Sequence, residues 1–290
     1  MNILVTGGEG FIGKNLVNKL RGLGHKVVSV DIKGSPDYLI DICKDDLSII
    51  KEDVDIVYHL AAQPFGKGSE LNPFMDLDYN IRGTLKVCYF AQSRKVKKIV
   101  YTSTVAVYGN NELATEESLL NPLSNYGVSK LSGEFYIKKF NTPYIILRLW
   151  NTYGPGQDLS NEYKGVVAAF ANQVSKGNYV KVTGSLERVR DIIHVDDVVS
   201  ALIHSLNINE SDIFNVSTKV PTTIKQLIET IIKAEDREVS DFVIENVGGH
   251  SGDQDGCVGD NTKLVNSGWN PTINLNDGIK SFLSYIKQSR

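Results

Sequence analysis

A tyrosine and a lysine four residues apart, in the segment SNYGVSKL at 124–131, have the types and spacing for joint chemistry. On a helix, Tyr126 and Lys130 would share one face. A free phenol has a pKa of about 10, and a neighbouring ammonium group would lower it, so that the tyrosine could act as a base. The pair alone does not decide between this role and a surface turn with a solvated lysine.

A glycine-rich segment, TGGEGFIG, follows the first apolar run and carries Gly7, Gly10 and Gly13 at the spacing G-x-x-G-x-x-G. Such glycines permit a tight turn, let the backbone approach a pyrophosphate, and let the next helix pack close to the strand. The N-terminus of that helix then faces the negative charge. The segment therefore predicts a dinucleotide-binding loop, in which Phe11 and Ile12 also take part.

An acidic residue, Asp31, ends the second predicted strand, 18 residues after Gly13. A carboxylate there can accept hydrogen bonds from both ribose hydroxyls of an adenosine, and it would repel a 2′-phosphate. This favours NAD over NADP, although Lys33 nearby argues the other way; a plain turn acid is the alternative. Farther along, Asp41 and Ile42 could lie beside the adenine, or Asp41 could be an ordinary loop acid.

The elements that must position these residues alternate between apolar strands and helices over the first half of the chain. Near-continuous apolar strands separated by helices predict a parallel sheet covered on both faces, which is a doubly wound, Rossmann-like α/β fold. We expect residues 1–150 and about 186–216 to form the dinucleotide-binding domain. Residues about 151–185 and 217–290 would form a smaller α/β lobe over the mouth of the sheet.

Composition excludes several classes of function. The 290 residues are 41% hydrophobic and 22% charged, with a net charge of −3, which is typical of a folded globular chain and argues against a general nucleic-acid binder. No apolar run approaches the roughly 20 residues of a membrane span. The scattered cysteines indicate a reducing, cytoplasmic location, and the histidines lack metal-ligand spacing, so we predict no metal site.

Seven motifs in order identify the chain as resembling the NAD-dependent epimerase/dehydratase family of extended short-chain dehydrogenases/reductases, and nucleotide-sugar 4-epimerases within it. The resemblance runs from Met1 to about residue 206. The motifs are TGGEGFIG, HLAAQ, NIRGT, YTSTVAVYG, YGVSK, LRLWNTYGPGQ and RVRDIIHVDDVV.

The resemblance implies a catalytic role for the residues of YTSTVAVYG and YGVSK. Tyr126 would be the acid/base, and Lys130 would hold the nicotinamide ribose and lower the tyrosine pKa. Thr104 matches the family's catalytic serine or threonine, with Ser103 as its neighbour and Thr102 beside the cofactor. A hydroxyl both donates and accepts, so Thr104 could pass a proton between a sugar oxygen and Tyr126.

The other motifs imply binding roles. Leu60, Ala61 and Ala62 of HLAA would line the cofactor cleft, and Asn80 of NIRGT would brace the strand beside the site. Asn151 would bind the substrate diphosphate or lie on the nicotinamide side.

Arg190 resembles the arginine that holds a nucleotide diphosphate, a role that suits a permanently charged, forked side chain. A structural pair with Asp191 or Asp196 is its alternative. The sequence departs from the family at His250, which stands where a second diphosphate-binding arginine is common. Lys67 could meet a sugar hydroxyl or phosphate, or be a solvated loop lysine.

The sequence therefore predicts an NAD-dependent nucleotide-sugar epimerase acting at C4 of a UDP-hexose through a transient 4-keto intermediate. A 4,6-dehydratase is not expected, because Val105 and Ala106 stand where such enzymes carry an Asp-Glu pair. A dehydrogenase or reductase of the same family, acting on a nucleotide sugar or another small molecule, is one alternative. A non-enzymatic dinucleotide sensor is another. The helices at 73–94 and 126–140 are those that relatives use to form a homodimer.

Overall fold

Seven strands between residues 2 and 216 form a parallel sheet in the computed structural model, which describes residues 1–64, 66–159, 165–248 and 256–288. The strands of the chain are β1 (Asn2–Thr6), β2 (Lys26–Asp31), β3 (Tyr38–Leu39), β4 (Ile56–His59), β5 (Lys98–Thr104), β6 (Asn111–Ala114), β7 (Tyr144–Leu149), β8 (Asn151–Tyr153), β9 (Tyr179–Val182), β10 (Val189–His194), β11 (Asp212–Val216), β12 (Pro221–Thr223), β13 (Val243–Asn246) and β14 (Cys257–Gly259). The order of strands in the seven-stranded sheet is β11-β7-β5-β4-β1-β2-β3.

Helices connect these strands and cover both faces of the sheet. The α-helices are α1 (Phe11–Gly22), α2 (Gly66–Leu71), α3 (Pro73–Asp76), α4 (Thr84–Ser93), α5 (Asn125–Lys139), α6 (Val166–Lys176), α7 (Val195–His204), α8 (Ile224–Ala234), α9 (Thr262–Asn266) and α10 (Leu275–Gln288). Helices α3 and α4 are joined by a wider, π-helical segment, Leu77–Gly83. Within the described ranges, none of the helices is both long and apolar enough to cross a membrane.

The sheet confirms the predicted doubly wound α/β fold. Strands β4 and β5 are buried along their whole length, which explains their near-continuous apolar sequences. One apolar cluster, including Leu16 of α1 and Val198 of α7, packs on one face, and another, including Val87 of α4 and Ile137 of α5, packs on the other. The strand order reverses between β1 and β4, and ligands of such sheets bind beyond the carboxyl ends of the strands at this point.

A third apolar cluster lies in the second half of the chain. It joins Phe170 of α6, Ile228 of α8 and Phe282 of α10 with the strands β9 and β10. A small sheet in the order β12-β10-β8 adjoins this cluster, and β9 pairs with β13. Where the chain divides into domains stays a prediction.

Candidate active site

A cleft of about 1710 Å³ opens at the carboxyl ends of the central strands. This is larger than the roughly 300–1,000 Å³ of a usual small-molecule site, so two ligands can fit. All but one of the predicted site residues line it, and the exception is Asp41. Those that do are Gly7, Gly10, Phe11, Ile12, Gly13, Asp31, Ile42, Leu60, Ala61, Ala62, Thr102, Ser103, Thr104, Tyr126, Lys130, Asn151 and Arg190.

The glycine-rich loop between β1 and α1 is packed so closely that side chains at two of its glycines would clash with the backbone. Gly7 adopts a positive φ of +74°, and a Cβ there would lie 2.6 Å from the Ala61 backbone nitrogen. A Cβ on Gly13 would overlap the Gly7 carbonyl oxygen. No side chain caps the N-terminus of α1 at Gly10, so the first N–H groups of that helix are left for another acceptor. This arrangement fits the pyrophosphate of a dinucleotide.

Asp31 joins the glycine-rich loop to the turn after β2. Its carboxylate accepts hydrogen bonds from the backbone N–H groups of Ile32, at 2.8 Å, and Glu9, at 3.0 Å. The side chain is almost fully buried and still borders the cleft. A carboxylate with unused acceptor capacity at this edge is suited to the ribose of an adenosine.

Asp41 has a local environment of its own. One carboxylate oxygen accepts a hydrogen bond from the Cys43 backbone N–H at 2.9 Å, and the other lies 3.0 Å from the Lys44 ammonium. The side chain therefore stabilises its own turn, and its place beside the adenine stays a prediction. Ile42, by contrast, borders the cleft.

Tyr126 and Lys130 lie on α5, which begins where the Ser124 hydroxyl accepts a hydrogen bond from the Gly127 N–H. Burial raises the pKa of Tyr126 to about 12, opposed by a hydrogen bond between its side chain and that of Thr104. Burial also lowers the pKa of Lys130 to about 7, and the negative charges of Glu134 and Asp76 oppose this change. The cleft thus contains a phenol, a hydroxyl partner and an amine that titrates near neutrality.

Ser103 and Thr104 have different partners, although they are neighbours. The Ser103 hydroxyl donates to Glu134 at 2.5 Å. Glu134 in turn forms a two-point ion pair with Arg148, at 2.8 and 2.9 Å, and both side chains are fully buried. The Ser103 hydroxyl is therefore engaged in a buried polar network with Glu134 and Arg148, whereas the Thr104 side chain lies close enough to Tyr126 to lower its pKa.

Sequence reasoning missed this ion pair. Glu134 lies in SGEFYI on α5 and Arg148 in YIILRLW on β7. The signal that could have indicated a buried pair is the arginine inside the otherwise apolar strand β7, because a charge in such a strand is rarely buried without a partner.

Asn80 braces the site from the π-helical segment. Its side-chain oxygen accepts from the Gln63 N–H at 2.8 Å, and its NH₂ donates to Ser129 at 3.0 Å and to Asp76 at 2.8 Å. These bonds join the loop after β4 to α5, next to Tyr126. Asn80 thus braces a loop and a helix, and the strand-bracing role expected from the sequence stays a prediction.

Asn151 and Arg190 lie on the neighbouring strands β8 and β10 at the far side of the cleft. The Asn151 NH₂ donates to the Asp191 carbonyl oxygen at 3.1 Å, and the Arg190 guanidinium donates to the Val189 carbonyl oxygen at 2.8 Å. The buried Asp191 carboxylate accepts from Thr218, at 2.7 and 2.9 Å. Asp191 thus has partners other than the arginine beside it.

The remaining sequence predictions concern Lys67 and His250, as candidate binding residues, and the expected absence of a metal site. Lys67 borders the cleft, whereas His250 lies outside the described residues. Across the described ranges, no three His, Cys, Asp or Glu side chains are grouped so that they could hold a metal ion.

Comparison with known proteins places this architecture in a family. A UDP-glucose 4-epimerase from Mycolicibacterium smegmatis is 31% identical over 314 residues, covering 99% of each chain. The structure of a UDP-glucose 4-epimerase from Thermotoga maritima with UDP-glucose matches with a TM-score of 0.93 and 32% identity, covering 100% of this chain and 99% of that one. A UDP-glucose 4-epimerase from Thermus thermophilus, complexed with NAD, matches with a TM-score of 0.92 and 29% identity, covering 100% of both chains.

The family model for NAD-dependent epimerases and dehydratases matches residues 3–217, a span that contains the glycine-rich loop, Thr104, Tyr126, Lys130 and Arg190. This match confirms the family predicted from the seven motifs, and the NAD-bound Thermus thermophilus structure supports the predicted cofactor, NAD. The chain belongs to the NAD-dependent epimerase/dehydratase family.

Proposed function

We propose that this enzyme is a nucleotide-sugar epimerase that inverts C4 of a UDP-hexose. The observation that carries the proposal is that Thr104, Tyr126 and Lys130 line the same cleft as the glycine-rich loop, with Lys130 one helical turn from Tyr126. The Thr104 side chain also acts on Tyr126, whose pKa it lowers against the effect of burial. The similar Thermotoga maritima enzyme, whose structure contains UDP-glucose, supports a UDP-sugar as the substrate.

The cofactor would be held by the part of the cleft that borders β1 and β2. The first turn of α1 and the glycine-rich loop would receive the pyrophosphate, and Asp31 would accept the ribose hydroxyls. When bound, NAD supplies the acceptor and donor for the C4 hydride.

Side chains of the protein would transfer the proton. Tyr126 would take the proton of the sugar 4-hydroxyl, directly or through Thr104, and would later return it. Burial favours the neutral phenol, since it raises the pKa of Tyr126 to about 12. The Lys130 ammonium and any positive charge brought by a ligand act in the opposite direction and favour the phenolate.

Substrate recognition would use the opposite side of the cleft. Arg190 and Asn151 lie there on adjacent strands, where a guanidinium can bind the oxygens of a nucleoside diphosphate. Val105 and Ala106 also border the cleft and cannot carry a proton. Their presence supports epimerisation over the elimination of water.

We also propose that the protein forms a homodimer through the outer faces of the helical segments at 73–94 and 126–140. Large apolar side chains are exposed there: Phe74 at 80%, Tyr89 at 61% and Phe135 at 57%. Several exposed apolar residues on neighbouring helices are typical of an interface. A second copy of the same face would bury them.

Proton NMR of the purified protein with UDP-, GDP- and dTDP-hexoses, without added cofactor, tests the proposed reaction. We expect a new anomeric signal from a UDP-hexose, because an epimerase regenerates its NAD in each turnover. Stoichiometric consumption of added NADH or NADPH, with no isomer formed, would instead establish a reductase. Binding of NAD with neither reaction across the panel would favour the dinucleotide sensor.

A further inference from the structure

Glu9 lies between Gly8 and Gly10 in the glycine-rich loop, next to Asp31 at the end of β2. Its backbone N–H donates to Asp31 at 3.0 Å, so the two residues are fixed relative to each other. Both border the cleft, together with Gly34 of the turn that follows β2. The cleft therefore has two carboxylate side chains at the same end.

The turn after β2 is shaped around the Glu9 carboxylate. Gly34 has a positive φ of +77°, and a Cβ at this position would overlap the Glu9 side chain. Only a glycine combines this backbone conformation with the absence of a side chain. The same Glu9 carboxylate oxygen that lies closest to Gly34 is 3.1 Å from the Lys14 ammonium. The acid is thus held in one place and is not a free surface group.

The charges at this end of the cleft differ in exposure. The Asp31 residue is 9% exposed and the Glu9 side chain 17%, whereas the Lys14 side chain is 56% exposed and Lys33 is exposed as well. Exposed charges are screened by water and salt much more than buried ones. The two carboxylates are therefore the charges at this end of the cleft that water screens least.

We propose that Glu9 acts with Asp31 to exclude a 2′-phosphate, which makes Glu9 a determinant of the preference for NAD over NADP. The inference rests on the proposed function in one respect, namely that the adenosine ribose lies at Asp31. A phosphate on that ribose carries up to two negative charges and would meet two carboxylates. Glu9 also holds the Lys14 ammonium in an ion pair at 3.1 Å, so this cation is less available to neutralise the phosphate.

A competition experiment on the purified protein tests this. The wild type, Glu9→Gln and the matched control Glu117→Gln, which removes an exposed acid that does not border the cleft, are incubated with equimolar NAD and NADP. After gel filtration, the nucleotides released by denaturation are quantified. We expect the NADP-to-NAD ratio of Glu9→Gln to rise at least about tenfold, the scale for removing one repelling charge a few ångströms away. The control should keep the wild-type ratio.

Other outcomes are equally informative. An unchanged ratio in Glu9→Gln, at full occupancy, would overturn the role of Glu9. A parallel loss of NAD and NADP binding in Glu9→Gln would also overturn it, because Glu9 would then only support the loop. Glu9→Ala, whose folding is checked by thermal unfolding, repeats the test with a smaller side chain. A wild type that retains and binds neither nucleotide would contradict the cofactor site itself, whatever the variant does.

Discussion

The ammonium nitrogen of Lys130 lies 4.1 Å from the centre of the Tyr101 ring. Tyr101 is fully buried on β5, and its hydroxyl donates to the Lys130 carbonyl oxygen at 3.4 Å. A cation above an aromatic face is stabilised by about 0.5–2 kcal/mol, more when water is excluded. The ring therefore favours the charged form of Lys130 at a position where burial lowers its pKa to about 7.

Replacing the ring should change the pH dependence of catalysis. If activity needs the Lys130 ammonium, it falls as the pH rises through the pKa of that group. In Tyr101→Leu the ammonium loses its aromatic partner, so this fall should move to lower pH by about 0.5–1 unit. Tyr101→Phe keeps the ring and should keep the wild-type profile. Identical pH profiles of kcat for Leu and Phe variants that remain folded would exclude this role.

The acid/base role of Tyr126 predicts a large loss of turnover. Tyr126→Phe removes the only phenolic oxygen that meets Thr104 among the described contacts, and kcat should fall at least about 10²-fold. Tyr136→Phe, at a partly exposed position on the same helix, is the matched control and should retain normal kcat. Near-normal turnover in Tyr126→Phe would remove this residue from the mechanism.

The buried ion pair predicts a stability effect. Glu134→Gln leaves the Arg148 guanidinium without its counter-charge, and the free energy of unfolding should fall by about 3–5 kcal/mol. Asp78→Asn, which breaks the exposed pair with Arg82, should cost less than about 1 kcal/mol. Urea unfolding of both variants measures the difference. Equal, small losses would show that the buried pair contributes little.

The proposed dimer predicts a change in mass on mutation. Phe135→Asp places a charge on the exposed face of α5, and light scattering after gel filtration should show a monomer where the wild type is a dimer. Val243→Asp alters an equally exposed apolar residue on β13 and should leave the dimer intact. A monomeric wild type, or a dimeric Phe135→Asp variant, would contradict the proposed interface.

The sequence was sufficient for the fold and for most of the cleft, because apolar strands and glycine spacing are local signals. It was less informative where a side chain can point in two directions. Adjacent strand residues face opposite sides of a sheet, and the motif that identifies Thr104 does not reveal that its neighbour Ser103 donates to the buried Glu134. The pairing of Glu134 with Arg148 depends on how α5 packs on β7, which local patterns do not contain.

Helix α5 is attached to its surroundings at several separate points along its length. Ser129 binds Asn80, Gly133 packs against the Tyr101 hydroxyl, and Glu134 binds Arg148. With these attachments on the same helix, Tyr126 and Lys130 are oriented when the chain folds, before any substrate arrives. The cost of arranging the reacting groups is then met once, during folding, and is not repeated in each catalytic cycle, which is the advantage of a preorganised site.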